Sequence, residues 1–476
     1  MNTRKLFYFF FFNSLVCLSL NINNLNDSVL KYENYKWIIN NKSEYLSVNK
    51  KELHKNEIDS ILYRIATKLE NSGYPFAIIE FRHDSIKNNN IYGKVIVDKR
   101  RLVKIDSIAI KGYDKFPKYL INRFLNIKIN EEYKKDKIDK ISKKILNNNF
   151  TQEYKKNTIL FNKKTTILFL YLEKKYNNYM EGFLGLNNNQ EESSIYGKIN
   201  INLSNTLNKW ESINIKWNKI TENSQELSLN FEFPFIFNSI FLLNSKFNIL
   251  QYNNSYVNKE FISSLELNKK NNFLKIGYIH NRSNIINNQN NLIKEYKTNL
   301  LMFNWSNKKN SLFRKKIDYR ISKEYRIGVN QTTNEKNIRH QINLNLKLKI
   351  PFFVNSYFYL NSNNKYLTGN KILENEKIGV GGINQIRGYI ENSFFSNSFS
   401  IINLENKYFF NNKSYFSFFY DFGKLYDINT QLESFGLGIG IDMINDIFLI
   451  NYAIPKYNEK IEFNNSKIHF NYILKF

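Results

Sequence analysis

The sequence predicts two small α+β modules followed by an all-β transmembrane barrel of about 16 antiparallel strands. Three observations predict it. A short apolar segment opens the chain, helix and strand periods mix as far as Lys174, and from Tyr179 onward segments of about ten residues alternate between apolar and polar side chains. Composition agrees. Of 476 residues 42% are apolar and 16% aromatic, with 32 Tyr and 40 Phe against 17 Gly and 5 Pro, whereas a disordered chain is poor in both classes. Beyond Leu20 no apolar run approaches the ~20 residues a spanning helix needs, which excludes a helical membrane protein. One Cys and five His exclude a disulfide scaffold and most soft-metal sites.

The balance of 69 basic to 42 acidic residues gives +27. Lys and Arg are spread along the whole length among Asn, Ile, Phe and Tyr, the residues an AT-rich genome over-supplies. The charge therefore records composition more than a nucleic-acid face, and no nucleic-acid partner is expected. Attraction to an anionic lipid surface would be a secondary effect.

Residues 1–22 read as a secretory signal peptide. Arg4 and Lys5 precede an aromatic run from Leu6 to Phe12 and an apolar stretch, Leu15–Leu20. A lipoprotein signal using Cys17 is the rival, but Val16 is bulky where such a site takes a small residue. Cleavage near Leu20–Asn24 would leave a mature chain without cysteine, suited to an oxidising periplasm.

Residues 32–100 form the first expected module. Ile58, Ile61, Leu62, Ile65 and Leu69 fall on one face of a helix over Asn56–Asn71, which Gly73 ends. Strands follow at Phe76–Phe81 and Ile91–Val97, joined by a turn over Asp84–Asn90. Residues 101–175 form the second: a strand over Val103–Ile110 turned by Gly112, a short helix near Lys118–Phe124, a helix over Asp136–Leu146, and strands at Tyr154–Phe161 and Thr166–Leu172. A generic α+β domain would share this order.

Residues 179–476 form the expected barrel. In Gln225–Phe233 and Gln341–Ile350 every second residue is apolar, and Lys198–Leu203 and Ser212–Trp217 behave alike. A soluble β-sandwich could alternate in the same way. Strands of nine to eleven residues, aromatic clusters such as Tyr408–Phe410 and Tyr415–Tyr420, and prolines at strand margins (Pro234, Pro351, Pro455) favour lipid. The last strand, Lys467–Phe476, puts Ile468, Phe470, Tyr472, Leu474 and Phe476 on one face and ends on an aromatic residue, as outer-membrane barrels do.

Gly379–Glu391, GVGGINQIRGYIE, resembles the signature of the surface-antigen family of barrels that includes BamA and TamA. Further matches follow in family order: NLENKY at Asn403–Tyr408, FYDFGKL at Phe419–Leu425, Gly436, Gly438 and Gly440, and NYAIP at Asn451–Pro455. The second module, with KIDSIAIKGYDKF, resembles a POTRA domain, and the first is POTRA-like. The resemblance implies that the loop bearing Gly381, Gly382, Arg387, Gly388 and Tyr389 folds into the barrel lumen, where Arg387 meets Glu405 and Asp421. It implies that Phe470, Tyr472, Leu474 and Phe476 form a C-terminal assembly signal.

The implied function is outer-membrane β-barrel assembly or insertion, with POTRA domains in the periplasm and no cofactor. Partners would be outer-membrane lipid, unfolded β-barrel clients, and accessory lipoproteins or periplasmic chaperones. A two-partner secretion pore is the alternative. A plug helix ahead of the modules would favour it, and Ser28–Lys42 shows no convincing one. A passive porin needs neither the modules nor the loop. An enzyme is not expected: His54, His83, His280, His340 and His469 lack metal-ligand spacing, and no nucleophile elbow or phosphate loop occurs.

Overall fold

The computed structural model describes residues 36–39, 52–188, 193–221, 223–269, 271–287, 292–309, 317–411, 413–443, 446–457 and 460–475. The expected signal peptide with Cys17, most of Ser28–Lys42, and Phe476 lie outside the described residues. The chain divides into two compact units between Lys174 and Lys175.

The first unit holds two modules of one topology. In the first, β1 (Lys36–Ile39), α1 (Lys55–Glu70), β2 (Ile78–Lys87) and β3 (Asn90–Asp98) give a sheet of order β1-β3-β2, with β1 parallel to β3. The apolar stripe expected from spacing is the buried face of α1, packed on Ile79 and Val95. Glu57 accepts a 2.9 Å bond from the His54 N–H and so satisfies an orphan donor at the helix start. The second module repeats the plan with β4 (Ser107–Lys111), α2 (Lys135–Leu146), β5 (Thr151–Phe161) and β6 (Thr166–Lys174), in the order β4-β6-β5. Ile138, Ile141 and Ile145 anchor α2. The modules are joined side to side: Gly73 O accepts from the Val103 N–H at 2.8 Å, Asn71 Oδ1 from the Asp136 N–H at 2.9 Å, and Lys135 pairs with Glu70 at 3.0 Å.

Several boundaries differ from expectation for local reasons. The β2–β3 turn is only Asn88-Asn89, both left-handed (φ 48 and 59), so the ladder runs through the segment expected to be loop. Val103 and Ile105 are not in a strand; they are buried in an extended leg bonded to Tyr133 and Glu131. The short helix is a π-turn at Ile121–Leu125, stopped by left-handed Asn126. β1 escapes sequence reading because four residues carry no measurable period.

The second unit is a closed barrel of sixteen long antiparallel strands. They are β7 (Tyr179–Asn188), β8 (Ser193–Ser204), β9 (Ser212–Thr221), β10 (Ser224–Phe233), β11 (Phe241–Tyr252), β12 (Tyr256–Lys269), β13 (Asn272–Ile285), β14 (Tyr296–Lys309), β15 (Asp318–Gln331), β16 (Lys336–Phe353) and β17 (Ser356–Thr368). A long loop then carries a small ladder of β18 (Ile378–Val380) with β19 (Phe394–Ser396). The wall continues with β20 (Ser398–Phe409), β21 (Tyr415–Leu425), β22 (Thr430–Asp442), β23 (Asp446–Tyr457), the two-residue β24 (Lys460–Ile461) and β25 (Lys467–Lys475).

The alternation that made these strands legible has its apolar side outward. Ile276, Leu301, Phe303, Ile342, Leu437 and Ile468 are exposed on the outside of the cylinder. Their inward neighbours are polar: Arg326 pairs with Glu324 at 2.8 Å, and Asn343 donates to the same carboxylate at 2.8 Å. A soluble sandwich would bury the first set, so the pattern is that of a wall facing hydrocarbon outside and water inside. Pro455 sits inside β23, but where its outer partner changes from β25 to β24, a gap in the ladder that needs no donor.

Candidate functional site

The site is built on the loop between β17 and β20. Gly381, Gly382 and Gly388 hold φ of 120, 90 and 89, the left-handed backbone that lets the chain reverse without steric cost. Gln385 clamps the turn, accepting from the Gly381 N–H at 3.1 Å and donating to Gly379 O at 3.2 Å. Asn403 of β20 then donates to Gln385 O at 2.6 Å. Ile386 is fully buried among Val380, Phe399, Ile401, Leu425 and Leu432, an apolar seat inside an otherwise polar lumen. A side chain at Gly423 would fall 2.3 Å from Ile386, so that glycine makes the seat.

Arg387, one residue on, meets the wall. Its Nε and Nη2 donate to Asp421 Oδ2 and Oδ1 at 2.8 and 2.7 Å, and its own backbone N–H adds a third bond to Oδ2 at 3.0 Å. Glu405 lies 3.5 Å from Nη1, and the guanidinium stacks 3.5 Å above the Phe419 ring. Asp421 is wholly buried. The fork geometry and the ring contact use properties that Arg has and Lys lacks. Gly388 N–H points to His469 Nε2 on β25 at 3.4 Å, and the Tyr389 hydroxyl reaches Lys456 O at 2.9 Å and Glu433 O at 3.1 Å. The loop tip therefore touches β20, β21, β22, β23 and β25.

A second clip holds the ascending limb of the loop, and sequence reading missed it. Arg339 of β16 donates from Nε and Nη2 to Glu376 at 2.7 and 2.8 Å, and also to Asn370 O and Lys371 O at 2.8 and 3.1 Å. Both side chains are almost completely buried. Beside them the Asn375 side chain donates to Ser283 Oγ at 2.7 Å and Lys294 O at 2.9 Å, and its backbone carbonyl accepts from Asn258 at 2.7 Å. The only signal was that Arg339 occupies an inward position of an alternating strand. Between the loop and the wall lies a polar cavity of about 610 Å³ whose lining includes Glu181, Lys198, Lys216, Glu226, Lys246 and Glu391.

The barrel closes where β25 meets β7, and the closure is short. Ile473, Leu474 and Lys475 pair with Glu181, Met180 and Tyr179, and no other register position pairs there among the described residues. Ladders between the other long strands run for eight to fourteen positions. The other edge of β7 is laddered to β8 over its whole length, so among the described residues β7 from Gly182 on and β25 from Lys467 to Tyr472 have no ladder partner in each other. Phe470 and Leu474 of the expected C-terminal signal are exposed on the outer face with Ile468; Tyr472 packs on Phe448 of the neighbouring strand. Phe476 lies outside the described residues. His280 and His340 bond Asn299 and Tyr325, and among the described residues no group of acidic, His or Cys side chains is arranged to hold a metal.

No protein-family model matches the chain, and no curated protein matches it. Solved structures do. It is similar to BamA from Haemophilus ducreyi lacking POTRA domains 1-3, with a TM-score of 0.55 and 15% identity, over 92% of this chain and 98% of that one. It is similar to CdiB from Acinetobacter baumannii (TM-score 0.57, 13% identity, 90% of this chain and 83% of that) and to CdiB from Escherichia coli (0.58, 8%, 97% and 93%). Identity this low speaks to shape alone, and in shape the chain has the fold of BamA and CdiB.

Proposed function

We propose that the chain is a non-enzymatic machine of the bacterial outer membrane that inserts β-barrel client proteins, with its two POTRA-like modules in the periplasm. The observation that carries the reading is the three-position closure between β7 and β25. In hydrocarbon every unpaired backbone N–H and C=O costs several kcal/mol, which is why membrane sheets close. An edge left open over most of its length is therefore a template for an incoming strand. An unfolded barrel client supplies such a strand, and pairing would relieve the edge while delivering the client to lipid. The outer strands of the two modules offer further edges to extended clients. Lipid and unfolded clients are the primary partners, with accessory lipoproteins or periplasmic chaperones as helpers.

The second reading is a pore exporting one dedicated partner. The polar cavity beside the loop and the likeness to CdiB favour it. The two readings place the client on different routes, through the wall or through the lumen. Met180 and Leu474 are register partners across the closure, so a Met180→Cys, Leu474→Cys protein made in a Cys17→Ser background can be locked by oxidation. Reconstituted in liposomes and locked, it should fail to render an unfolded barrel client protease-resistant, with activity restored by reductant. Insertion at the unlocked rate by the locked protein would overturn the proposal, and transport of a soluble client into the vesicle by the locked barrel would establish the pore.

A further inference from the structure

Two turns of the barrel are copies of one another. Pro234–Ser245 and Pro351–Ser362 agree at eight of twelve positions, in the pattern Pro-Phe-x-x-Asn-Ser-x-Phe-x-Leu-Asn-Ser. One copy joins β10 to β11 and the other joins β16 to β17. These are the fourth and fifth, and the tenth and eleventh, strands of the wall. Strand direction alternates, so both turns lie at the end of the barrel where β7 begins. The copies share one backbone position: Asn238 and Asn355 are both left-handed, with φ of 55 and 61.

Ahead of each Asn the turn displays large apolar side chains. Phe237 is 97% exposed, Val354 87%, Phe353 71% and Phe352 63%. Phe235 and Phe237 hold φ of 56 and 48, a strained backbone for a bulky residue. A turn facing water would be closed without strain by Asn, Asp or Gly, and the turn at the opposite end of β11 is of that kind, Asn253-Asn254. The apolar display is also continuous with the outward row of the wall, which starts in the first copy at the exposed Phe241.

We propose that the two turns are interfacial lipid anchors, their side chains seated at the headgroup–acyl boundary of the leaflet at that end of the barrel. Burial there removes the apolar tips from water, as for other interfacial segments. Two anchors six strands apart would fix the height and tilt of the barrel in the bilayer. The inference rests on the membrane-barrel reading, and its test separates the two.

Nitroxide labels are placed one at a time at Phe237→Cys, Phe353→Cys and Val354→Cys, with Leu344→Cys on the outer face and Asn254→Cys at the opposite end as references, all in the Cys17→Ser full-length protein. Each is reconstituted in phosphatidylethanolamine–phosphatidylglycerol vesicles, and collision with oxygen and with a nickel chelate is measured on protein that shows heat-modifiable mobility. The 237 label and at least one of the 353 and 354 labels should collide with nickel several-fold less than the 254 label, approaching the 344 label. Turn labels as open to nickel as that at 254, with 344 shielded, would overturn the anchors and leave the barrel standing. A label at 344 open to nickel would overturn both. Turn labels open in vesicles but shielded in native outer membranes would overturn the lipid anchors and assign the turns to a protein partner.

Discussion

Asp421 has no solvent exposure, so its charge is tolerable only under the three hydrogen bonds it takes from Arg387. Removing the guanidinium strands a buried carboxylate, and Arg387→Ala should destabilise the lumen side of the barrel by about 3–5 kcal/mol, read from urea unfolding in detergent micelles. Insertion of the protein into the membrane should survive, while depletion–rescue growth should be impaired; full rescue at normal protein levels would sink the functional role. Arg387→Lys should fall between, since an ammonium cannot fork onto both oxygens. The Arg339–Glu376 clip obeys the same logic with a different emphasis. Arg339→Met or Glu376→Leu alone should each destabilise more than the two together, because only the single variants leave an unpaired buried charge. Equal or additive losses in that double-mutant cycle would refute it. The first clip was legible because its residues lie in motifs with recognisable wording. The second was not, since 37 residues separate its partners, and an inward position on an alternating strand does not say which charge it will meet.

Elements announced themselves by period, and the accuracy of each expectation followed the strength of that period. α1 and α2 were located within a residue because each carries a full apolar stripe on one face. Strand ends were placed less well, because Asn88-Asn89 closes a two-residue turn inside a polar stretch that looked like a loop. Ile141 is wholly buried beneath α2, so Ile141→Ala should cost the second module about 2–5 kcal/mol; limited proteolysis should then cut within residues 101–174 while the heat-modifiability of the barrel is kept. Tyr133 in the same module has its hydroxyl pushed up to about 12, first by burial and then by Glu70 and Asp139. The folded state thus holds the proton more tightly than the unfolded one. The contribution to stability is complete below the usual tyrosine value near 10 and is lost as pH rises through about 12. Tyr133→Phe should flatten that alkaline decline in circular dichroism of the full-length protein, and an unchanged decline would show that other groups govern it.

For the molecule as a whole, strand number and the outward apolar face follow from alternation and closure, both visible in the sequence. The length of the closing ladder does not, because pairing register between the first and last strands leaves no local trace. The net charge of +27 told least, since a sum does not say where any one charge sits: Arg326 meets Glu260 and Glu324, and Arg387 meets Asp421, inside the barrel. What the whole barrel adds is the coupling of two clips through one loop. The tip is fixed to β21 by Arg387 and the ascending limb to β16 by Glu376, so either clip alone still tethers the loop beside the polar cavity. Releasing one should alter ion flow little; releasing both, in Arg387→Ala with Glu376→Ala, should let the loop leave the lumen and open a continuous aqueous path. In planar bilayers the single variants should show conductance close to the parent and the double variant a large, stable increase. The energetic reason is that one buried ion pair, worth several kcal/mol when broken on one side, suffices to hold a loop whose remaining contacts include a fully buried Ile386. A double variant no more conductive than the parent would mean that the loop's remaining contacts, Ile386 and Tyr389 with the bonds of Asn375 and Gln385, retain it, and that the two ion pairs serve orientation rather than closure.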